Sequence, residues 1–328
     1  MRTRGTIKLN AFLLGAGASR GTFDDLLVPV ASEFGEVLAS VNPCWTQDYP
    51  ALFKVVQHLG LDPGAWALEP VWSCIDYYSK LQPALPLQKP WIDESSQIKK
   101  ALLAVYGRRC DQAVAGDDST LACLFRTEMK PGDVLISFNY DTIAERTAVR
   151  CGHRLLAAPY DHNDGVRFAK PHGSTSWTLD LNSRTVTWLS SDGAPLLSSL
   201  SSADVDCRRE PLVLGAVPIK SELISEVQAH YKVPGVFDAI VTQWRTVVEA
   251  VRDAETIFVV GYSFPEEDRY GRFLVGQGIR LRTTTVKIEC FERTQKQAER
   301  AQTIAGVFGH RLHNLVVRGP VKSKSATA

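Results

Sequence analysis

The sequence lacks a strong net charge, and this excludes several classes of partner. Its 328 residues include 37 Lys and Arg against 36 Asp and Glu. Because the charges balance, no whole-chain field attracts nucleic acid or an anionic membrane. We therefore expect neither direct nucleic-acid binding nor membrane binding, and look instead to small molecules or protein partners.

A cysteine framework and a long apolar run are also missing. The seven cysteines are odd in number, scattered and never spaced as a CxxC pair: Cys44, Cys74, Cys110, Cys123, Cys151, Cys207 and Cys290. That pattern contains neither a zinc ribbon nor a disulfide framework, so we expect no bound metal and a reducing compartment. The apolar stretch 11–18 is too short to span a membrane, and the first five residues do not lead into the apolar region of a signal peptide. A cytoplasmic location is expected.

The chain has the composition and the rhythm of an α/β protein. Hydrophobic residues make up 45% of it, enough for an ordinary buried core. Apolar runs predict strands at 9–14, 133–138, 154–158, 166–170, 184–189, 256–260, 285–291 and 314–317. Amphipathic spacing predicts intervening helices at 24–41, 142–150, 236–253, 266–278 and 294–305. The alternation predicts a doubly wound, Rossmann-like parallel sheet.

One long segment departs from this alternation. Residues 50–125 contain helix-like blocks at 51–59, 70–81, 92–106 and 119–125, separated by proline and glycine and without a convincing strand. We therefore predict a single discontinuous domain over 1–318. Its core is 1–49 and 126–318, its helical insertion is 50–125, and a flexible tail follows at 319–328. The serine- and aspartate-rich stretch 190–210 is expected to be a loop or small lid.

Four short segments each follow a predicted strand. They are 15–19 (Gly-Ala-Gly-Ala-Ser), 137–141 (Ser-Phe-Asn-Tyr-Asp), 170–174 (Lys-Pro-His-Gly-Ser) and 261–263 (Gly-Tyr-Ser). Open α/β sheets bind their ligands at the carboxyl ends of the strands. The four segments are therefore expected to line one site.

The first segment is suited to a phosphate group. Gly15 and Gly17, with Ala16 between them, let a backbone approach a pyrophosphate without a Cβ clash, and a following helix would present free N–H groups. Ser19 adds a hydroxyl group and Arg20 a cation. A tight turn between strand and helix, with no ligand, is the alternative, because the GxGxxG spacing is absent.

The next two segments offer groups for catalysis. Asn139 and Asp141 occupy alternate positions after a strand, so the pleat sends both side chains to one side. Asp141 also suits the N-cap of the following helix. His172 lies between Pro171 and Gly173, and an exposed imidazole in such a loop can act as a base near neutral pH. A lone loop histidine is also often inert.

Other residues carry weaker signals. Gly261 and Ser263 form a second small-residue turn that fits the rim of a pocket. Trp177 either walls that pocket or belongs to the core. Glu289 and Glu292 flank the end of a strand, where they either accept hydrogen bonds from a ribose or remain solvated surface charges.

Taken in this order, the four segments resemble those of the sirtuin superfamily. Segment 15–19 looks like its NAD phosphate turn, 137–141 like its segment with a catalytic Asn and a nicotinamide-binding Asp, and 261–263 like its Gly-x-Ser turn. His172 and Gly173 are similar to its catalytic histidine loop. The resemblance implies a sirtuin-like fold with Asn139 and His172 as catalytic residues. It implies NAD binding by Gly15, Ala16, Gly17, Ser19, Arg20, Asp141, Gly261 and Ser263.

The departures from the protein-deacylating sirtuins point to one branch. The CxxC pairs of their zinc module are absent, and other residues stand at 21–29 in place of a Gly-Ile-Pro-Asp-Phe-Arg run. The Lys-Pro-His-Gly-Ser and Gly-Tyr-Ser-Phe-Pro sequences instead resemble bacterial sirtuin-like NAD hydrolases of anti-phage defence, which also lack that module. This resemblance implies NAD as substrate, and activation by a protein partner or by homo-oligomer formation.

Three functions stay open at this stage. They are an NAD glycohydrolase that releases nicotinamide and ADP-ribose, an NAD-dependent protein deacylase, and a catalytically silent sensor of NAD or ADP-ribose. The missing zinc module weighs against the deacylase, and the presence of Asn139 and His172 weighs against the sensor. We expect the glycohydrolase.

Overall fold

Strands and helices alternate within 134–157 and again within 234–318, whereas the described elements between 16 and 128 are helical. The computed structural model describes residues 9–20, 31–81, 92–107, 116–157, 164–180, 185–187, 209–213, 234–266, 268–291 and 297–318. In chain order its strands are β1 (Asn10–Leu14), β2 (Val134–Ser137), β3 (Leu155–Ala157), β4 (Val166–Ala169), β5 (Gly173–Asp180), β6 (Thr185–Thr187), β7 (Arg209–Val213), β8 (Thr256–Val260), β9 (Val286–Phe291) and β10 (Leu312–Arg318).

Helices connect and cover these strands. They are α1 (Ala16–Arg20), α2 (Phe34–Val41), α3 (Trp45–Asp48), α4 (Pro50–His58), α5 (Leu68–Leu81), α6 (Ile92–Tyr106), α7 (Thr120–Glu128), α8 (Ile143–Arg150), α9 (Pro234–Asp253), α10 (Arg269–Leu281) and α11 (Gln297–Phe308). Short 3₁₀ turns stand at Ala31–Glu33 and Gly309–Arg311. Within the described ranges, no helix is both long enough and apolar enough to cross a bilayer.

The main sheet is parallel and reverses its strand order at β1. Seven of the described strands form it in the order β10-β9-β8-β1-β2-β4-β3, and every neighbouring pair is parallel. Because β1 lies between β2 and β8, the chain builds one half of the sheet and then returns to build the other. The carboxyl ends of β1 and β8 meet at the resulting switch point, where such sheets bind ligands. Strands β6, β5 and β7 form a separate antiparallel sheet.

Both faces of the main sheet are buried. Ala11 and Leu13 of β1 pack into a core shared with α9, α10 and α11, whereas Phe12 and Leu14 pack into a second core with α7 and α8. Alternate side chains of one strand thus enter different cores, as the pleat requires. The predicted doubly wound, parallel α/β fold is confirmed.

A third core lies within a helical layer. It is built from α2 to α6 and joins Phe34 and Leu38 to Leu52 and Val56, so it includes residues on both sides of position 50. Helix α7 instead contributes Leu121 to the second core, against the sheet. The domain boundaries at 50 and 125 remain predictions.

Two predicted helices differ from those observed. The helix predicted at 266–278 begins at Arg269, because the Asp268 side chain accepts the N–H of Gly271 (2.7 Å) and so caps α10 there. Of the helix predicted at 24–41, the structure shows α2 from Phe34 onward, and residues 21–30 lie outside the described part. The first helix follows Gly15 at once, as α1.

Strand β5 was not predicted. The sequence favoured a loop around His172, yet Gly173–Asp180 forms a strand in which Ser174, Thr175 and Ser176 are buried. Their polar groups are satisfied internally: the Ser174 and Ser176 hydroxyl oxygens lie 2.9 Å apart, and the Thr175 hydroxyl donates to the Tyr140 carbonyl (3.1 Å). Because these buried residues are polar, the start of the strand lacks the apolar pattern by which a strand is predicted from sequence. Of the loop predicted at 190–210, residues 209–210 belong to β7 and the rest lie outside the described part, as do 292–296 and the tail.

Candidate active site

The two glycine turns pack against each other at the switch point of the sheet. The N–H of Gly15 donates to the Val260 carbonyl (3.1 Å), and that of Gly17 to the Gly261 carbonyl (3.0 Å). A Cβ on Gly15 would lie 2.7 Å from the Gly261 oxygen, and Gly261 itself has a φ of 59°, in the left-handed region that favours glycine. The contact between the two turns therefore requires glycine even without a ligand. This agrees with the alternative interpretation of 15–19 as a tight turn between strand and helix.

His172 is buried, which corrects the prediction of an exposed loop. Its side chain lies where β4 passes directly into β5, and the residue is only 4% exposed. Its Nε2 lies 3.0 Å from Oδ2 of Asp268. The ring centroids of Phe138 and Tyr140 lie 5.5 and 6.4 Å from that of the imidazole. The histidine is therefore held in one orientation by a carboxylate and by aromatic neighbours.

Asp268 joins three donors, and the sequence analysis missed it. Besides facing His172, its Oδ2 accepts the Tyr262 hydroxyl (2.7 Å), and its Oδ1 accepts the N–H of Gly271 (2.7 Å). Burial raises the pKa of Asp268. The charge of His172 and the hydrogen bonds from His172, Gly271 and Tyr262 lower it by more, so the pKa lies below its usual value. An ionised carboxylate only accepts hydrogen bonds, which assigns the His172 proton to Nε2 and makes Nδ1 the basic nitrogen.

Tyr262 supports this pair from the second turn. Its ring stacks on Phe138 with centroids 4.3 Å apart and planes within 6°. Burial, with the neighbouring Asp268, raises the pKa of Tyr262 well above its usual value. The phenol therefore stays protonated and donates to Asp268.

Asn139 and Asp141 lie behind the first glycine turn. The Asn139 Nδ2 donates to the Gly15 carbonyl (3.0 Å) and to the Ser19 hydroxyl (2.8 Å). That hydroxyl donates to Oδ1 of Asp141 (3.1 Å), which also accepts the N–H of Ile143 (3.0 Å) at the start of α8. Burial raises the pKa of Asp141. The N-cap position of α8 is Thr142 rather than Asp141, so the predicted N-cap is off by one residue, but the Asp141 carboxylate still accepts an N–H at the start of this helix and is linked to the turn.

A buried ion pair stands next to this network. Lys170 Nζ donates to Glu145 Oε1 (2.7 Å) and to the backbone carbonyl of Asp141, and the two side chains are 0% and 1% exposed. Burial raises the pKa of Glu145, while the charge of Lys170 opposes that shift. The sequence analysis gave Lys170 no role, because its partner stands 25 residues away.

Arg20, Trp177 and Glu289 have contacts outside the cavity. Arg20 Nη1 pairs with Glu33 Oε1 at 2.5 Å on the partly exposed edge of the site. Trp177 is 4% exposed and belongs to the second core, which confirms its core alternative. Glu289 is buried and paired with Lys287 and Arg318. Glu292 lies outside the described residues.

A cavity of about 390 Å³ opens beside His172, a volume typical of small-molecule sites. It lies between the edge of the main sheet and the helical layer. Of the predicted site residues, Gly15, Ala16, Gly17, His172, Gly261 and Ser263 line it, whereas Asn139, Asp141, Ser19 and Arg20 do not. Asp268, Tyr262, Phe138 and Tyr140 complete the wall on the sheet side, and Ala31, Ser32, Ala67, Glu69 and Pro70 form the helical side. No group of three or more His, Cys, Asp or Glu side chains in the described ranges could hold a metal ion.

Comparisons with known proteins give weak likenesses. No protein-family model and no curated protein matches the chain. Among solved structures, a Sir2 homologue in complex with NAD is similar at a TM-score of 0.40 and 15% identity, covering 95% of this chain and 84% of that one. A mutant Sir2 homologue with ADP-ribose gives 0.38 and 13%, covering 93% and 92%. A Sir2 complex with an inhibitor, 2′-O-acetyl-ADP-ribose and a deacetylated peptide gives 0.36 and 12%, covering 94% and 87%. TM-scores below 0.5 do not by themselves assign a family or an activity.

Proposed function

We propose that the protein hydrolyses the nicotinamide N-glycosidic bond of NAD and releases nicotinamide and ADP-ribose. The observation that carries this proposal is the His172–Asp268 pair, which faces a cavity at the switch point of a parallel sheet. A buried imidazole oriented by a carboxylate has the arrangement of a general base, and nucleotides bind at this position of α/β sheets. NAD is proposed as the nucleotide because the four motifs resemble those of sirtuins in sequence and in order.

The reaction needs a base more than an acid. The bond between ribose C1′ and the pyridinium nitrogen breaks, and its electron pair neutralises the departing ring, so no proton has to be delivered there. Water then forms the new bond to the oxocarbenium-like carbon and gives its proton to Nδ1 of His172. Asp268, which holds Nε2–H, stabilises the resulting imidazolium.

The remaining residues bind and orient the substrate in this proposal. Asn139 and Asp141 are buried behind the first turn and do not line the cavity, so their contacts with substrate are proposed from the resemblance alone. Both N–H groups of the Asn139 amide are already engaged, so its Oδ1 is the atom left to accept a bond from a ribose hydroxyl or from the attacking water. Asp141 offers Oδ2 to the nicotinamide carboxamide, since its Oδ1 already accepts two bonds. The dinucleotide is held by the two turns and their neighbours: Gly15, Ala16, Gly17, Ser19, Arg20, Gly261 and Ser263.

The proposal is tested by product analysis. Purified protein is incubated with NAD, with and without an acetylated peptide, and the products are separated. We expect the activated protein, with its partner or in its self-assembled form, to release free ADP-ribose without peptide, and His172→Ala to reduce this release by about 100-fold or more. The matched control His58→Ala, an exposed residue at the end of α4, should keep the activity. Transfer of the acetyl group without free ADP-ribose would identify a deacylase instead, and NAD binding without turnover in the fully activated protein would identify a sensor.

We also propose a biological role as an antiviral effector that depletes NAD in the bacterial cytoplasm. Its support is the resemblance to anti-phage NAD hydrolases, together with the harm that unregulated NAD loss does to the host cell. An activating partner protein or self-assembly is therefore part of the proposal. The chain is expressed alone and cellular NAD is measured. NAD should stay stable without infection or partner, and rapid depletion would refute the regulatory part while leaving the hydrolase assignment intact.

A further inference from the structure

The buried pair of Lys170 and Glu145 joins two segments of the site. Lys170 directly follows β4 and stands two residues before His172, and its backbone N–H is fixed by Oε1 of Gln243 (3.0 Å) on α9. Its ammonium group reaches the carbonyl of Asp141, in the turn after β2, and Glu145, in the first turn of α8. One side chain thus contacts the segment of the proposed base and the segment of Asn139.

This pair is a poor source of stability. Both charges are fully removed from water, and replacing such a pair by apolar side chains of similar size is often neutral or stabilising. In addition, Oε2 of Glu145 is buried and has no hydrogen-bond partner among the described residues. What an apolar pair could not reproduce is the hydrogen bond to the Asp141 main chain.

We propose that Lys170 and Glu145 are positioning residues that hold the turn 139–141 in register with the segment carrying His172. Lys170 fixes the backbone of Asp141, whose carboxylate holds the Ser19 hydroxyl, and that hydroxyl in turn accepts from Asn139. A displacement at Lys170 therefore reaches Asn139 through three hydrogen bonds. Glu145 directs the Lys170 side chain toward this turn through their ion pair. The expected effect on catalysis rests on the proposed function, whereas the effect on the turn does not.

The test removes the pair while keeping its volume. In the double variant Lys170→Met/Glu145→Leu, amide hydrogen exchange over 138–146 should become faster by about tenfold or more, while peptides of β1 and β8 keep their protection. The exposed residue Arg154, changed to Met, is the control and should alter neither region. If the wild type cleaves NAD, kcat of the double variant should fall by about 10- to 100-fold with little change in KM, because the reacting groups are misplaced rather than lost.

The exchange rate over 138–146 decides whether Lys170 and Glu145 position the turn. Unchanged exchange over 138–146 in a folded double variant would overturn it, as would uniformly faster exchange throughout the sheet. Should the double variant not fold, Glu145→Gln keeps the shape and removes one charge, and the same local loss of protection is expected there. A fully activated wild type that does not cleave NAD would refute the proposed function, while the exchange experiment still tests the pair.

Discussion

At the scale of the residue, Asp268 combines two tasks that are usually separate. One oxygen caps α10 through Gly271, and the other receives His172 and Tyr262. Asparagine is as good an N-cap as aspartate, but it carries no charge and offers one acceptor oxygen instead of two. The two tasks can therefore be separated by a single substitution.

We predict that Asp268→Asn lowers kcat for NAD cleavage by about 100-fold or more and changes KM by only a few-fold. The amide can still cap the helix, but it cannot stabilise an imidazolium or fix the proton on Nε2. Steady-state kinetics check this against Asp164→Asn, which alters an exposed carboxylate paired with Arg154. Near wild-type kcat in the Asp268 variant would remove this residue from the mechanism.

The same residue predicts a dependence of stability on pH. The pKa of folded Asp268 lies below its unfolded value of about 3.9, so its carboxylate stabilises the fold at higher pH. That contribution is lost as the pH falls through the lower, folded pKa. Urea unfolding of the wild type and Asp268→Asn should give a smaller difference in the free energy of unfolding in acid than near neutral pH. A difference that grows in acid would contradict the assigned direction.

At the scale of the element, the strands that have a local apolar pattern could be predicted from the sequence, and those that depend on distant contacts could not. Strands β1, β2 and β8 were predicted because each is a nearly continuous apolar run, typical of a parallel strand buried on both faces. Strand β9 was predicted although Lys287 and Glu289 interrupt its apolar residues. Strand β5 was missed because Thr175 is satisfied by Tyr140, whose carbonyl accepts its N–H at 3.0 Å from a distant turn. Asp268 was missed for the same reason, since it stands 96 residues from His172. Such pairings exist only after the chain has folded.

Two glycines of α10 should respond oppositely to alanine. A Cβ on Gly271 would collide with the Tyr262 hydroxyl and lie 2.6 Å from Oδ2 of Asp268, whereas one on Gly276 would meet nothing within 4 Å. Alanine generally stabilises a helix by up to about 1 kcal/mol over glycine. Gly276→Ala should therefore raise the unfolding temperature, while Gly271→Ala lowers it and slows NAD cleavage. Equal shifts in thermal unfolding would show that Gly271 has more room than the structure gives it.

At the scale of the whole molecule, the cavity joins two layers. Its sheet side carries His172 and the glycine turns, and its other side is the helical layer. Trp72 of α5 stacks on Tyr140 with planes within 7° and centroids 6.0 Å apart, and Ile143 of α8 belongs to the helical core. The helical layer is thus docked on the turn that carries Asn139.

Ligand binding is therefore expected to protect both layers. With ADP-ribose bound, hydrogen exchange should slow at 31–35 and 65–72 in the helical layer as well as at 138–142 and 261–271. Strands β3 and β4 contribute no residue to the cavity lining and should show no change, which serves as the internal control. Protection restricted to the sheet edge would mean that the helical layer takes no part in binding.

The packing of one glycine turn on the other also shapes how this chain can evolve. Gly15 and Gly17 both pack against Gly261, so a side chain gained at one of these positions displaces the backbone of the opposite turn. The three positions are expected to be inherited as a unit, and a deep mutational scan should show strong epistasis among them. A lineage that abandoned catalysis would still retain all three glycines. Their survival therefore records ancestry of the fold, whereas loss of activity is recorded at His172 and Asp268.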